Sequence, residues 1–189
     1  MKKFLKLGLI SLIGASALFA GTYNVDASHS HVGFKVKHMM ISNVKGNFDQ
    51  FSGSFEYDEK TKQLTSLSGS VAVASINTAN AKRDGHLKSG DFFLAEKYPQ
   101  IKFELSKIKG DTAYGKLTMR GITKDVELEL ENNGMIKDPW GNTRVGLALS
   151  GKINRYDYGL KYNSVLEAGG VTVGETVKLD IEIEGIKAK

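Results

Sequence analysis

From residue 22 onward, nearly every segment alternates apolar and polar residues. This is the period of a strand that buries one face. Ser30, Val32, Phe34, Val36 and His38 share one parity, against His31, Gly33, Lys35 and Lys37. Val44, Gly46 and Phe48 continue the pattern. Phe51, Gly53, Phe55 and Tyr57 resume it after a slip that predicts a bulge at Asp49-Gln50. Further runs cover 67–73, 101–105, 115–119, 126–130, 145–153 and 177–183. Turn chemistry separates them: Asp58-Glu59-Lys60, Lys109-Gly110-Asp111, Asn132-Asn133-Gly134, Pro139-Trp140-Gly141-Asn142 and Gly169-Gly170. The pattern predicts seven or eight antiparallel strands in one all-β domain over residues 21–189, with neither repeat nor linker.

One segment breaks the alternation. Residues 82–97 read as a short helical insert, with Asp91 as a candidate cap before Phe92, Phe93 and Leu94, and Tyr98-Pro99 as its end. Alternation fits both a filled sandwich and a barrel with room for a ligand. Gly46, Gly53, Gly69, Gly115 and Gly151 fall on the apolar parity. Inward glycine leaves volume open, or it marks a bend or bulge.

The first 20 residues are of another kind. Lys2, Lys3 and Lys6 precede a short apolar run that ends in Gly14-Ala15-Ser16-Ala17-Leu18-Phe19-Ala20. A basic start, an apolar middle and a small-residue end read as a cleavable signal peptide, cut after Ala20 or Ala17. The run is shorter than the ~20 residues that span a bilayer. The expected location is the periplasm, as a soluble protein rather than a membrane-spanning one.

The leader holds three of the 26 basic residues and no acid, which leaves 23 basic against 21 acidic. With no basic run interleaved with aromatics, nucleic acid is not an expected partner. Cysteine is absent, which excludes disulfides, thiolate zinc sites and a cysteine nucleophile.

Two polar groupings invite chemistry. His29 and His31 lie on one strand face, and His38 and His86 are further imidazoles. Three imidazoles with an open position would suit zinc. His38 has the opposite parity, however, and no carboxylate stands at ligand spacing, so no metal site is expected. His38 reads instead as a polar group at a lumen rim. Arg83, Asp84 and His86 form the second grouping, with Ser89 nearby. An acid–base pair with a serine is one reading, although no nucleophile elbow is present. A head-group entrance with Arg83 as diphosphate donor is another. A helix-start network, with Asp84 capping and Arg83 paired to a carboxylate, is the structural alternative. Arg120-Gly121-Ile122-Thr123-Lys124 reads as a hairpin whose Gly supplies a positive φ. Arg155 with Asp157 reads as a strand-end ion pair.

Several stretches together resemble the YceI-like family. Asp26-Ala27-Ser28-His29-Ser30-His31-Val32-Gly33-Phe34-Lys35-Val36-Lys37-His38-Met39 is similar to its opening strand. Val44-Lys45-Gly46-Asn47-Phe48 with Phe51-Ser52-Gly53 follows. Arg83-Asp84-Gly85-His86-Leu87, Asp91-Phe92-Phe93 and Tyr98-Pro99 with Phe103 resemble its helical insert. Gly115-Lys116-Leu117-Thr118-Met119-Arg120-Gly121-Ile122-Thr123-Lys124 is similar to its hairpin. Ile153-Asn154-Arg155-Tyr156-Asp157-Tyr158-Gly159 and Val173-Gly174-Glu175-Thr176-Val177 complete the match, in order, over roughly 22–186. Tyr158 and Leu94 depart from the Phe and Asp common at those positions.

The resemblance implies an antiparallel, eight-stranded, lipocalin-like barrel. Its lumen would hold a long amphiphile, such as a polyprenyl chain, a quinone tail or a fatty amide, and no cofactor or catalytic activity comes with it. Strand parity supplies candidate lumen residues: Val32, Phe34, Val36, Phe48, Phe55, Phe103, Leu117, Leu128 and Leu147. Met39 and Met40 offer adaptable thioethers, and Phe92 and Phe93 come from the insert. His38, Arg83 and His86 are the polar candidates. The expected function is a binding or carrier protein for a long-chain lipid. The alternative is a secreted lipid-modifying enzyme that uses the same cavity. The alternating segment 177–183, read as an exposed edge, suggests a homodimer.

Overall fold

A computed structural model describes residues 20–165 and 169–189. The leader lies outside these residues except for Ala20, which opens the first strand opposite Asp58. Eleven strands form one sheet that closes on itself. Three staves of the barrel are each broken into two strands. β1 (Ala20–Val25) and β2 (His31–His38) make the first, β3 (Ser42–Phe48) and β4 (Phe51–Asp58) the second, and β5 (Gln63–Ala72) and β6 (Ile76–Asn77) the third. With β7 (Gln100–Lys109), β8 (Thr112–Met119), β9 (Ile122–Lys137), β10 (Thr143–Asn154) and β11 (Val173–Lys187), they close an eight-stranded antiparallel barrel. β11 pairs with β1 through Gly185, Ile186 and Lys187, and with β2 between Val173 and Glu182.

The breaks have local causes. Where a bulge is expected the stave breaks instead: Asp49 N–H donates to the Ser75 carbonyl and Gln50 N–H to Ser75 Oγ. The second stave is thereby tied to the 3₁₀ turn Val73–Ser75 that interrupts the third. The β8–β9 hairpin turns on Arg120 and Gly121, both at positive φ, between the paired Met119 and Ile122. Two such residues match the right-handed strand twist.

Several expectations change. The segment 177–183 is not an edge, because β11 is paired to β10 on one side and β2 on the other. That removes the ground for expecting a dimer there. Asn132-Asn133-Gly134 is not a turn: β9 runs through it, and the register shifts there opposite Gly146 and Leu147. The extra residue makes it a bulge. The insert's helix, α1 (Ala81–Lys88), precedes Asp91, and its cap is Asn80, whose side chain accepts from Arg83 N–H. Arg155 is buried and donates to the carbonyls of Gly174, Leu160 and Val173 rather than to Asp157. Burial lowers its pKa.

The interior has two apolar layers. Tyr23, Phe55 and Tyr57 dominate one, with Leu64, Val145 and Leu147. Tyr23 stacks on Phe55 with centroids 5.2 Å apart. At the same end, Arg144 bridges Asp26 (2.9 Å), Asp138 (2.7 Å) and Glu184. The other layer contains Phe48, Val73, Ile76, Phe92, Ile153, Tyr158 and Leu160, and is roofed by the insert.

Candidate functional site: an apolar lumen

Between these layers the barrel holds a cavity of about 140 Å³. Its walls are mainly apolar: Val25, Val32, Phe34, Phe48, Phe51, Leu67, Val71, Ile101, Phe103, Leu117, Met119, Val126, Leu128, Leu149, Leu179, Ile181 and Ile183, joined by Gly33, Ser52, Gly53, Ser68, Gly69, Ser70 and Lys102. Inward parity from every stave meets here, because alternate residues of each strand face the axis.

Glycine explains where the space lies. Gly53 and Gly69 are directly paired on β4 and β5, and both line the cavity. A Cβ at Gly69 would meet only Ser52 O, at 3.5 Å, so that side is open. The other inward glycines are covered. A Cβ would lie 2.5 Å from the Phe34 ring at Gly46, 2.5 Å from Phe103 at Gly115, and 2.6 Å from Leu128 at Gly151. Those three seat a neighbour's side chain, and Gly53 lets the Ser68 carbonyl (2.6 Å) and Val25 (3.3 Å) approach, whereas Gly69 leaves a gap.

The cavity also reaches a seam in the wall. The first two staves pair at Asn24 with Ser54 and again at Gly33 with Asn47. Between these points, among the described residues, no registered pair joins them. Val25, Val32, Phe51, Ser52 and Gly53 flank this stretch and line the cavity.

Comparison with known proteins decides the family. Residues 23–185 match the YceI-like domain. The chain belongs to the YceI-like family. It is 39% identical over 163 residues to a UPF0312 protein of Staphylococcus aureus (strain N315), spanning 86% of this chain and 95% of that one. It is 36% identical to the YceI protein of Campylobacter jejuni, with a TM-score of 0.70 over 87% of this chain and 96% of that chain. A polyisoprenoid-binding domain from Saccharophagus degradans shares the fold at 15% identity, with a TM-score of 0.67 over 88% and 98% of the two chains.

The YceI-like barrel distributes the nominated residues unevenly. Val32, Phe34, Phe48, Phe103, Leu117 and Leu128 line the cavity. Phe55 and Leu147 are fully buried in the Tyr23 layer instead, because the lumen is filled at that end. Phe92 is buried in the other layer, and Phe93 packs on it, edge-on to Phe48. Val36, between Val44 and Val177, and His38, between Ser42 and Val173, lie beyond the cavity toward the end of β2. Met39 and Met40 are exposed at positive φ in the β2–β3 turn, so their thioethers face outward.

The polar candidates are committed elsewhere. Arg83 donates from Nε to Thr78 Oγ1 and from Nη2 to Thr78 O, both at 2.7 Å, and reaches neither a carboxylate nor the lumen. Asp84 accepts from Thr78 N–H and Oγ1–H rather than capping α1. His86 Nε2 lies 2.8 Å from Asp91, and its ring meets Phe92 and Tyr162 edge-on. Ser89 Oγ donates to the His86 carbonyl. Asp84, His86 and Ser89 therefore do not converge.

The four histidines do not converge either. His29 sits beside Asp26 and Glu184, the acids that Arg144 already binds. Hydrogen bonds from Ser28 first, then His29 and Arg144, hold the Asp26 carboxyl well below the usual range.

Beyond the glycines already noted for open volume, the lining residues outside the sequence-based set include Val25, Phe51, Leu67, Val71, Ile101, Met119, Val126, Leu149, Leu179, Ile181 and Ile183, with Gly33, Ser52, Ser68, Ser70 and Lys102. Most carried the same alternation signal. Gly53 and Gly69 carried the sharper one, open volume on an apolar parity.

Proposed function

We propose that this protein is a periplasmic carrier that holds the tail of a long isoprenoid or fatty amphiphile in its barrel lumen, and is not an enzyme. The cavity carries the reading: it is apolar from every stave and is opened by a paired glycine gap. A tail binds by leaving water, at roughly 25 cal/mol per Å². Several hundred Å² of prenyl surface is worth on the order of 10 kcal/mol before ordering costs. The polyisoprenoid-binding domain of the same fold supports the reading at the level of architecture. The signal-peptide pattern supports export.

A cavity of about 140 Å³ holds only a short stretch of tail, so a longer tail must displace Phe34 or Phe103 from their glycine seats. The seam between the first two staves gives it a route that breaks no backbone hydrogen bond. Native mass spectrometry of gently purified protein tests this. A co-purified long-chain lipid, absent from a folded Phe34→Asp variant, is expected, because the carboxylate would lie unpaired against the tail. A folded variant that still carries lipid would refute the placement. Turnover of the lipid would favour the enzyme.

A further inference from the structure

The outer face carries a charge arrangement that folding alone does not explain. Lys152, Lys178, Lys35 and Lys45 stand directly opposite one another across β10, β11, β2 and β3. Like charges in register are destabilising. Among the described residues, none of the four has a carboxylate partner within ion-pair distance. Lys35, Lys45 and Lys178 border an outer concavity of about 540 Å³ that His31 also lines, its imidazole over Gly33, and in which Asp180 is the only acid among the described residues.

The second observation lies next to the first. β2 continues from Lys35 through exposed Lys37 to the turn Met39-Met40-Ile41, a rise of ~13 Å. Ile41 is 85% exposed and Met40 55%. Val165, 83% exposed, is bridged to Val171, and Met39 N–H donates to the adjoining Thr172 carbonyl. A Cβ at Gly170 would meet Met40 Cγ at 3.5 Å. Met40, Ile41 and the Val165/Val171 bridge therefore meet at one apolar tip.

An apolar tip beside an unpaired basic row matches the two parts of a bilayer surface, hydrocarbon boundary and anionic phosphate. We infer that this face docks on membranes containing anionic phospholipid, with Met40 and Ile41 entering the interface and the lysine row meeting headgroup phosphates. The inference deepens the carrier reading, because a tail extracted from a bilayer would pass to the lumen of a docked barrel.

The test is co-sedimentation of delipidated protein with phosphatidylcholine vesicles, with and without phosphatidylglycerol. Partition is expected only with phosphatidylglycerol, and should fall as salt rises. Each Lys→Gln change in the row should weaken it about fivefold. Lys35→Glu/Lys45→Glu/Lys178→Glu and Ile41→Asp should abolish it while the circular dichroism is kept. Inorganic pyrophosphate at concentrations of the vesicle phosphate should not displace the protein. Displacement would mean a soluble phosphate site and would overturn the bilayer assignment.

Equal partition of wild type and triple variant would also overturn it. So would a stable dimer that the triple variant dissolves, since exposed Asp125, Glu127 and Glu129 on β9 offer a second copy a complementary stripe. Tail titration into the same samples separates the two readings. Vesicle binding without tail binding refutes the carrier alone, and tail binding without vesicle binding refutes docking alone.

Discussion

Replacing Gly69 with Val tests the lumen most directly, because it should stabilise the protein and spoil the site together. Gly69 sits on β5 opposite Gly53, at an ordinary strand φ, and an added Cβ meets only Ser52 O at 3.5 Å. Valine brings three carbons into the cavity. At ~0.8 kcal/mol per buried carbon, they contribute about 2 kcal/mol. Lower backbone freedom in the unfolded chain adds about 0.5–1 kcal/mol. The ligand-free protein should therefore gain about 3 kcal/mol, raising Tm by about 6–10 °C for a domain of this size.

The complex should move the other way. Valine takes the room of two or three tail carbons, which should weaken tail binding by roughly thirtyfold, at 1.4 kcal/mol per decade. Thermal unfolding of delipidated protein and titration with a tail series measure both effects. Gly85→Ala is the control: it lies in α1 with nothing within 4 Å of an added Cβ. It should raise Tm slightly and leave binding alone. A lower Tm for Gly69→Val would show that the space is not open. A higher Tm with unchanged affinity would show that the tail lies elsewhere.

Other outcomes follow from single residues. Arg155→Met should cost about 3 kcal/mol in denaturant melts, because it leaves the carbonyls of Gly174 and Leu160 without their side-chain donor, while Val173 keeps Asn163. The hydrogen bond from Arg144 is the main cause that lowers the Asp138 pKa from 3.8 to about 2. A carboxyl depressed by folding stabilises fully above its unfolded pKa and loses that contribution as pH falls through the folded one. Acid titration should therefore remove this stability between about pH 4 and pH 2, and Arg144→Met should flatten that dependence. Gly46→Ala should push the Phe34 ring, 2.5 Å away, toward the lumen and lower tail affinity without abolishing folding, as the same titration would show.

These positions also show how far residues alone could be read. Parity is a local property, and it separated inside from outside in nearly every strand, while the slip at Asp49-Gln50 proved to be a break between β3 and β4 rather than a bulge. What parity cannot give is depth along the barrel axis. Phe34, Phe55 and Leu147 share inward parity, yet Phe34 borders open space while Phe55 and Leu147 are sealed beside Tyr23. The difference arises from strand tilt and stagger, which set the level of each residue on the axis and depend on closure of the whole ring. Closure also turned the apparent edge at 177–183 into the best-paired strand region. In the same way, only register shows that four lysines from four separate runs stand in one row.

The inward glycines carry this argument to the site itself. On sequence, Gly46, Gly53, Gly69, Gly115 and Gly151 were alike: small residues on an apolar face, equally compatible with packing and with a cavity. The cross-strand neighbour decides between these. Gly46 faces Phe34, and Gly115 and Gly151 lie under Phe103 and Leu128, so each is filled by a side chain. Gly53 faces Gly69, with Val25 against Gly53 and no side chain within 4 Å of a Cβ at Gly69, so the space opens on the Gly69 side. The open space in the lumen therefore follows from the coincidence of two glycines in register, a pairwise property of the folded sheet. The lumen is also adjustable, since one side of the Phe34 and Phe103 rings rests over the glycine backbone of Gly46 and Gly115. Their movement is what the tail-length series would detect: affinity should rise with each isoprene unit until the displaced rings reach the wall, then level off.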